Sequence, residues 1–379
     1  MSRAVAQQLT LVDWVLTQQG VRLEPVLAAI SNFLDAHCEL IAQVQRDLER
    51  GLKNPRTGRG GLTAEQVLRS LVLMRVKNWH YRELRERIAD GFTLRQFTAF
   101  YARRVPRHDA FQRGFNRLTP QTLKVINELV VRAAVELGLE DGRKLRVDTT
   151  VVETDVHHPT DNTLLWDAVR IVTRLVNRLA TALGGRHLKD FRNRTRAARR
   201  RMQDIQRMTA RQRQERQNGA YRKLIGIAEE VVSGARKVLQ QTAARHGKDA
   251  IAGILADELR KQIKYFCDLG DRVIDQARRR VLDGEAVPNS EKIYSIFEPH
   301  TDLIKRGKVR SPIEFGHKVF LAESAHGLIT QYEVLTGNPG DEHQVVASLQ
   351  RHRDTFGRAP EWYGADRGFY SERSVASCA

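Results

Sequence analysis

The sequence predicts an α+β or α/β fold, with an all-helical N-terminal region followed by a mixed sheet that a long helical segment interrupts. Three observations predict it. Apolar residues recur at spacings of three and four through residues 22–138, the period of a helix. At Lys144 the chain becomes rich in Val and Thr, as a strand should be, and strand-like composition returns only beyond Pro288. Between the two, residues 161–285 revert to helical periodicity. The implied domains are a helical one over 1–143 and a sheet domain over 144–379, with a helical insertion over 160–287.

The elements follow in order. Val26, Ile30, Phe33, His37, Leu40, Val44 and Leu48 place one long amphipathic helix over 22–50. Asn54 to Gly61 is a basic, breaker-rich loop without the Gly-Lys-Ser/Thr ending of a phosphate-binding P-loop. Thr63 and Gln66 form a capping box before a helix carrying Val67, Leu68, Leu71 and Val72. Short helices follow at 80–90 and 93–102, divided by Gly91, with Thr93 as a cap. Thr119-Pro120 opens a helix that closes near Gly138.

Lys144 to Val156 is the first strand, with apolar positions on both faces, as in a buried central strand. Gly184-Gly185, Asn218-Gly219 and Gly247 divide 161–285 into about four helices. Strands then run over Lys292–Phe297, Gly316–Glu323 and Leu328–Leu335, followed by a helix at 341–355 and a strand at 361–366.

Charge narrows the partner. The 379 residues carry a formal net charge of +18, which points to a polyanion, and to nucleic acid before a membrane surface. No apolar run is long enough to span a bilayer. The three cysteines are scattered and form no metal-spaced pair, as expected in a reducing compartment. From Arg186 to Arg216 there are twelve Lys/Arg against three Asp/Glu, half the net charge. Leu188, Phe191, Thr195, Ala198, Met202, Ile205 and Met208 make a seam on that segment, so its arginines crowd the other face. Few acidic partners relieve their repulsion, and phosphate binding accounts for them better than a solvated surface. A helix-turn-helix over 63–102 would turn Arg82, Arg85, Arg87 and Arg95 to DNA, and a plain helical bundle fits equally well. Trp79 and Tyr81 are expected in the core.

Two strand-borne aspartates carry the chemistry. Asp148 lies in the first strand, and Asp366 follows the last, before Arg367-Gly368. Each alone reads equally as the polar cap of a strand end. Together they fit convergent carboxylates that hold divalent cations for phosphoryl transfer. Glu153, Asp155, His157, His158 and Asp161 offer a transition-metal reading. Against it, adjacent strand side chains diverge, and Asp161 suits a helix cap. Glu298, His300 and Asp302 belong either to the catalytic face or to a turn.

Leu145–Asp161, Phe297–Lys308 and Tyr363–Tyr370 carry a resemblance that covers nearly the whole chain. They resemble insertion-sequence transposases with an RNase H-like Asp-Asp-Glu catalytic domain, closest to the ISNCY group. The resemblance implies that Asp148 and Asp366 are catalytic metal ligands for two Mg²⁺ or Mn²⁺ ions. It implies phosphodiester cleavage and strand transfer on double-stranded DNA, at element ends and target, by a homo-oligomer assembled on DNA in the bacterial cytoplasm and nucleoid. Arg192, Arg194, Arg196, Arg199, Arg200, Arg201, Arg207, Arg211, Lys305, Arg306 and Lys308 are the expected DNA contacts. The family's Glu sits on a helix after the second Asp. Here that helix is expected to be absent, as in a truncated or frameshifted chain, with Glu372 too close to Asp366 to replace it. Glu153, Glu298, Glu323 and Glu372 are the other acids to search. The alternatives are an inactive remnant that only binds DNA, and a helical scaffold that binds RNA.

Overall fold

A computed structural model of the chain describes residues 20–52, 54, 60–184, 191–243, 250–305 and 313–378. The chain divides into two compact units after Asp141.

In the first unit, α1 (Pro25–Ala36) and α2 (Cys38–Glu49) replace the single helix expected over 22–50. His37 makes the break. Its ring lies 4.3 Å from that of Phe33, and its Nδ1 donates to the Phe33 carbonyl at 2.7 Å. That carbonyl is the one a continuing helix would offer to a backbone N–H. Most of the loop expected over 54–61 lies outside the described residues. α3 (Ala64–Val76) opens on the Thr63–Gln66 capping box, with reciprocal bonds of 3.2 and 3.1 Å. α4 (Tyr81–Asp90) and α5 (Phe92–Phe97) follow, with Gly91 rather than Thr93 at the cap of α5. α6 (His108–Phe115) is an unexpected helix, too short to show a period, which buries Phe111 and Phe115. α7 (Pro120–Glu136) starts at Thr119-Pro120, as the cap-then-proline pattern requires. Leu27, Leu40, Val67, Leu73, Leu84 and Phe97 join Phe111 in one core.

The second unit joins a mixed five-stranded sheet to a helical block. β1 (Lys144–Glu153) pairs antiparallel with β3 (Ile313–Ser324) and parallel with β5 (Trp362–Gly364). β2 (Asp302–Lys305) and β4 (Ile329–Val334) both pair antiparallel with β3. The expected burial of β1 on both faces is not what forms. Leu145, Val147 and Thr149 are buried, whereas Lys144, Arg146 and Asp148 are exposed. The buried face packs on Phe320, on Val345 and Leu349 of α12 (Val345–Phe356), and on Phe369. A seven-residue helix, α13 (Glu372–Cys378), forms where none was expected.

Between β1 and β2 stand α8 (Asp161–Ala182), α9 (Thr195–Gln206), α10 (Ala210–Thr242) and α11 (Ala250–Ala277). The expected break at Asn218-Gly219 does not occur, because an exposed mid-helix glycine costs only about 1 kcal/mol. The break falls at Arg207–Thr209 instead. There Thr209 and Gln212 form a capping box. Residues 292–297 are not the expected strand. The buried backbone of Ile293 bonds instead to the Gln276 side chain, its N–H donating at 2.7 Å and its carbonyl accepting at 3.3 Å. A side-chain amide therefore does the work of a neighbouring strand.

His352 gives this unit a pH dependence. It is fully buried on α12, stacks on Phe356 at 4.5 Å, and its Nε2 donates to the Gly142 carbonyl at 2.9 Å. Burial pushes its pKa below the usual histidine value, and the bond to Gly142 offsets this only in part. The unfolded chain therefore binds the proton more readily, so stability is full above about pH 6.5 and falls as pH drops below it. Thermal melts should show a falling midpoint between about pH 7 and 5. His352→Asn should flatten that fall, and an unchanged slope in the variant would assign the acid sensitivity to other groups.

Candidate metal and nucleic-acid site

Parallel pairing sets the segments that carry the two aspartates side by side. The β1–β5 register runs Lys144↔Trp362, Leu145↔Tyr363 and Arg146↔Gly364. Two residues further along each chain stand Asp148 and Asp366, both exposed. Asp148 lies on β1 itself, whereas Asp366 follows the end of β5 and opens a 3₁₀ turn. Each carboxylate is steadied by a local N–H, from Thr149 to Asp148 Oδ1 at 2.7 Å and from Gly368 to Asp366 Oδ1 at 2.9 Å.

An acid that the sequence reading missed, Asp341, stands near Asp366, though its partner Thr149 projects from the face of β1 opposite to Asp148. Asp341 opens the 3₁₀ turn Asp341–Gln344 ahead of α12. Its Oδ1 accepts from Thr149 Oγ1 at 2.9 Å and pairs with Lys318 Nζ at 2.8 Å. Asp341 Oδ2 and Asp366 Oδ1 each lie 3.1 Å from the point where a Cβ on Gly368 would sit. The two oxygens are therefore no further apart than twice that distance. Nothing in the spacing of Gly340-Asp341-Glu342 marks this acid, which reads as an ordinary helix start. Only the β3 lysine, the β1 threonine and the turn after β5 reveal it. Among the described residues, Glu153, Glu323 and Glu372 make no contact with Asp148 or Asp366 that would mark them as partners of the pair.

The other acidic and histidine residues are engaged in structure. Thr160, not Asp161, caps α8. Asp161 is buried and accepts from Arg280 at 2.8 and 3.0 Å and from Gln276 at 2.9 Å. His157 lies 3.5 Å from Asp167, and the His158 ring packs edge-on to Phe315. Glu298, His300, His317 and Asp302 form a chain, with successive contacts of 2.9, 2.9 and 3.7 Å. Among the described residues, no group of three or more His, Cys, Asp or Glu is arranged to hold a metal ion. The donor chemistry of the Asp148–Asp366 pair nonetheless suits a hard cation, which takes one or two carboxylates and completes its shell with water and phosphate oxygens.

The basic residues separate by their partners. Arg194 pairs with Glu230, Arg201 with Asp204 and Arg211 with Glu215. Arg192, Arg196, Arg199, Arg200 and Arg207 are exposed and have no ion pair among the described residues. α9 packs through Ala198, Met202 and Ile205, part of the seam that was expected, and this leaves Arg199 and Arg200 outward. Lys305 is exposed at the end of β2, and Arg306 and Lys308 lie outside the described residues. In the first unit, Arg95 does not face a ligand. Its guanidinium donates to the carbonyls of Tyr101, Ala89 and Arg103 at 2.7, 3.3 and 2.6 Å, which closes the turn after α5. Arg87 pairs with Glu83 and lies over Trp79. Trp79 and Tyr81 are half-buried against the core, in line with their expected place. Among the described residues, no helix is long and apolar enough to cross a membrane.

Lys318 controls the charge of this cluster. It is 8% exposed, and its ammonium also donates to the Pro339 carbonyl at 2.7 Å. Lys318→Met should leave Asp341 beside Asp366 without its cation, at a cost of about 3 kcal/mol in urea unfolding. Adding Asp341→Asn should recover much of that loss, because the amide keeps the Thr149 bond and sheds the charge. A loss that persists in the double variant would place the cost in packing.

Comparison of the chain with family models, with curated protein sequences and with solved structures returned no match.

Proposed function

We propose that this chain is a DNA transposase of the Asp-Asp-Glu type, which cleaves phosphodiesters at insertion-element ends and transfers the strands to target DNA. One observation carries the reading. The short strand that leads to Asp366 pairs in parallel beside the strand that bears Asp148, although register partners such as Lys144 and Trp362 lie 218 residues apart. The sheet is read as an RNase H-like sheet, with the helices from Asp161 onward as an insertion between β1 and β2.

Asp148 and Asp366 would hold Mg²⁺ or Mn²⁺, and Asp341 is a further acid on the Asp366 side. Bound there, the cation would neutralise phosphate charge and lower the pKa of an attacking water or hydroxyl. The chain's own residues do the rest. Thr149 and Lys318 fix Asp341 against β1, and the backbone N–H groups of Thr149 and Gly368 orient the two aspartates. Arg199 and Arg200, outward and without an ion pair among the described residues, bind phosphates without regard to sequence.

A second reading is a DNA-binding protein without chemistry, favoured by the unpaired arginines and by the ion pair that already neutralises Asp341. A cleavage and joining assay separates the two, using the DNA that flanks the chain's own gene and Mn²⁺. The expected outcome is cleavage that falls more than about a hundredfold in Asp148→Asn or Asp366→Asn, beyond the loss typical of outer-shell ligand partners. DNA binding should change little in either variant. Binding without cleavage in the parent chain favours the second reading. In the triple variant Arg199→Ala, Arg200→Ala, Arg201→Ala, duplex affinity should fall for every sequence. The salt slope should shrink by about 0.9 for each phosphate the variant no longer neutralises. An unchanged slope would place the duplex on another surface.

A further inference from the structure

A groove in the helical block has no role in the chemistry above. It measures about 550 Å³ and runs between α8 and α11, with the start of α9 at one end. Arg170, Arg174 and Arg178 line one wall, four residues apart and so on one face of α8. Arg170 pairs with Asp167 at 2.7 Å. Arg174 and Arg178 are exposed and have no ion pair among the described residues. Like charges at this spacing destabilise a helix, so the ladder is a local cost that a polyanion would relieve. The groove is not a purely electrostatic surface, however. Leu255 and Leu259 of α11 and Ala182 of α8 form its apolar side, and Leu255 is 43% exposed. Thr173 also lines it. That residue is 2% exposed, and its hydroxyl has no hydrogen-bond partner among the described residues. Asn177 and Asn193 add amide groups. At the Arg170 end lies Phe297, 40% exposed, with the Arg170 guanidinium 5.5 Å from its ring.

We infer that this groove binds a single strand of DNA, with Arg174 and Arg178 on the phosphates and the bases turned toward Leu255, Leu259 and Phe297. A duplex hides its base faces in its own stack and offers a protein wall mainly phosphates and groove edges. An apolar wall beside an arginine ladder gains little from it. A single strand exposes both its charge and its apolar base faces, and proteins that hold one combine a basic track with apolar and aromatic platforms. The two exposed asparagines give base edges hydrogen-bonding groups to meet. The proposed transposase function supplies only the choice of DNA as the nucleic acid. The groove itself is argued from its walls.

The test uses the full chain in fluorescence anisotropy, without metal, so that failure here leaves the cleavage proposal standing. The probes are a labelled oligothymidylate of about 16 nucleotides, an RNA of equal length and a duplex. Arg174→Ala with Arg178→Ala should weaken single-strand binding at least about tenfold and lower its salt slope by about 1.4, at 0.7 per phosphate. Leu255→Asp, at an exposed position, should weaken the single strand with the arginines intact. Duplex affinity should change less than about threefold in both variants, since neither removes a phosphate partner that the duplex uses. Unchanged single-strand affinity overturns the inference. So do equal losses for duplex and single strand, which would mark a general charge effect, and tighter binding of the RNA than of the DNA.

Discussion

The second unit depends on β1 being bonded on both sides. It holds β3 antiparallel from Leu145 to Glu153 and β5 parallel from Lys144 to Arg146. A parallel partner cannot be reached by a tight turn, so the chain must cross over, and α12 makes that crossing between β4 and β5. The same pairing brings the segment that leads to Asp366 alongside the start of β1. Its tolerance for error is small. A one-residue slip would turn Asp148 into the core packed by Phe320 and Leu349 and bring Val147 to solvent. The alternation of buried Leu145, Val147 and Thr149 with exposed Arg146 and Asp148 therefore protects both the fold and the site.

A second constraint keeps the helical block from prising the sheet apart. The block leaves β1 at Asp161 and returns toward β2 after Arg280, and these two residues form an ion pair at 2.8 Å. Gln276 joins them, giving one amide hydrogen to Asp161 and bonding Ile293 on both sides of its backbone. The entrance and exit of the block are thus tied at one buried polar point. Loop-closure entropy grows only slowly with length, so a long excursion costs little more than a short one once its ends are fixed together. The Asp161 carboxylate is nearly buried, and Arg280 together with Gln276 satisfies it. That role, rather than capping, explains an acid at the start of α8.

Local chemistry made several elements legible. Thr63–Gln66 and Thr119-Pro120 mark helix starts because the bonds that define them lie within three residues. Strands β3 and β4 were legible from their β-branched and aromatic runs. The failures share a cause, since in each a partner distant in sequence or a side chain overrode the local pattern. His37 bonds to the Phe33 carbonyl and breaks a helix whose apolar period is unbroken. Ile293 is strand-like in sequence but finds its hydrogen bonds on Gln276. Arg95 looked available to a ligand, yet the carbonyls of Tyr101 and Arg103 in the turn after α5 and of Ala89 on α4 hold it. At the candidate site Asp148 and Asp366 were singled out by strand-like sequence contexts, although β5 stops at Gly364. Asp341 was not, because its meaning comes from Lys318 and Thr149, far away in sequence.

The distribution of acids explains how a chain of net charge +18 stays folded while leaving some arginines free. Arg236 sits between Asp268 and Asp271, Arg278 meets Glu229, and Arg279 meets Glu285 and Glu291. These acids serve arginines at helix–helix contacts and at the end of α11, where unrelieved repulsion would oppose packing. Exposed pairs of this kind contribute little stability each, so their value lies in removing repulsion rather than in attraction. On α9 the single acid, Asp204, pairs with Arg201, and Arg196, Arg199 and Arg200 face outward together. On the groove side of α8 only Arg170 has an acidic partner among the described residues. Repulsion is tolerable there because α8 is anchored through Leu164, Ala168, Ile171, Leu175 and Leu179, buried along its whole length. A helix held by its core can carry uncompensated charge on its far side, and that charge is then available to a polyanion.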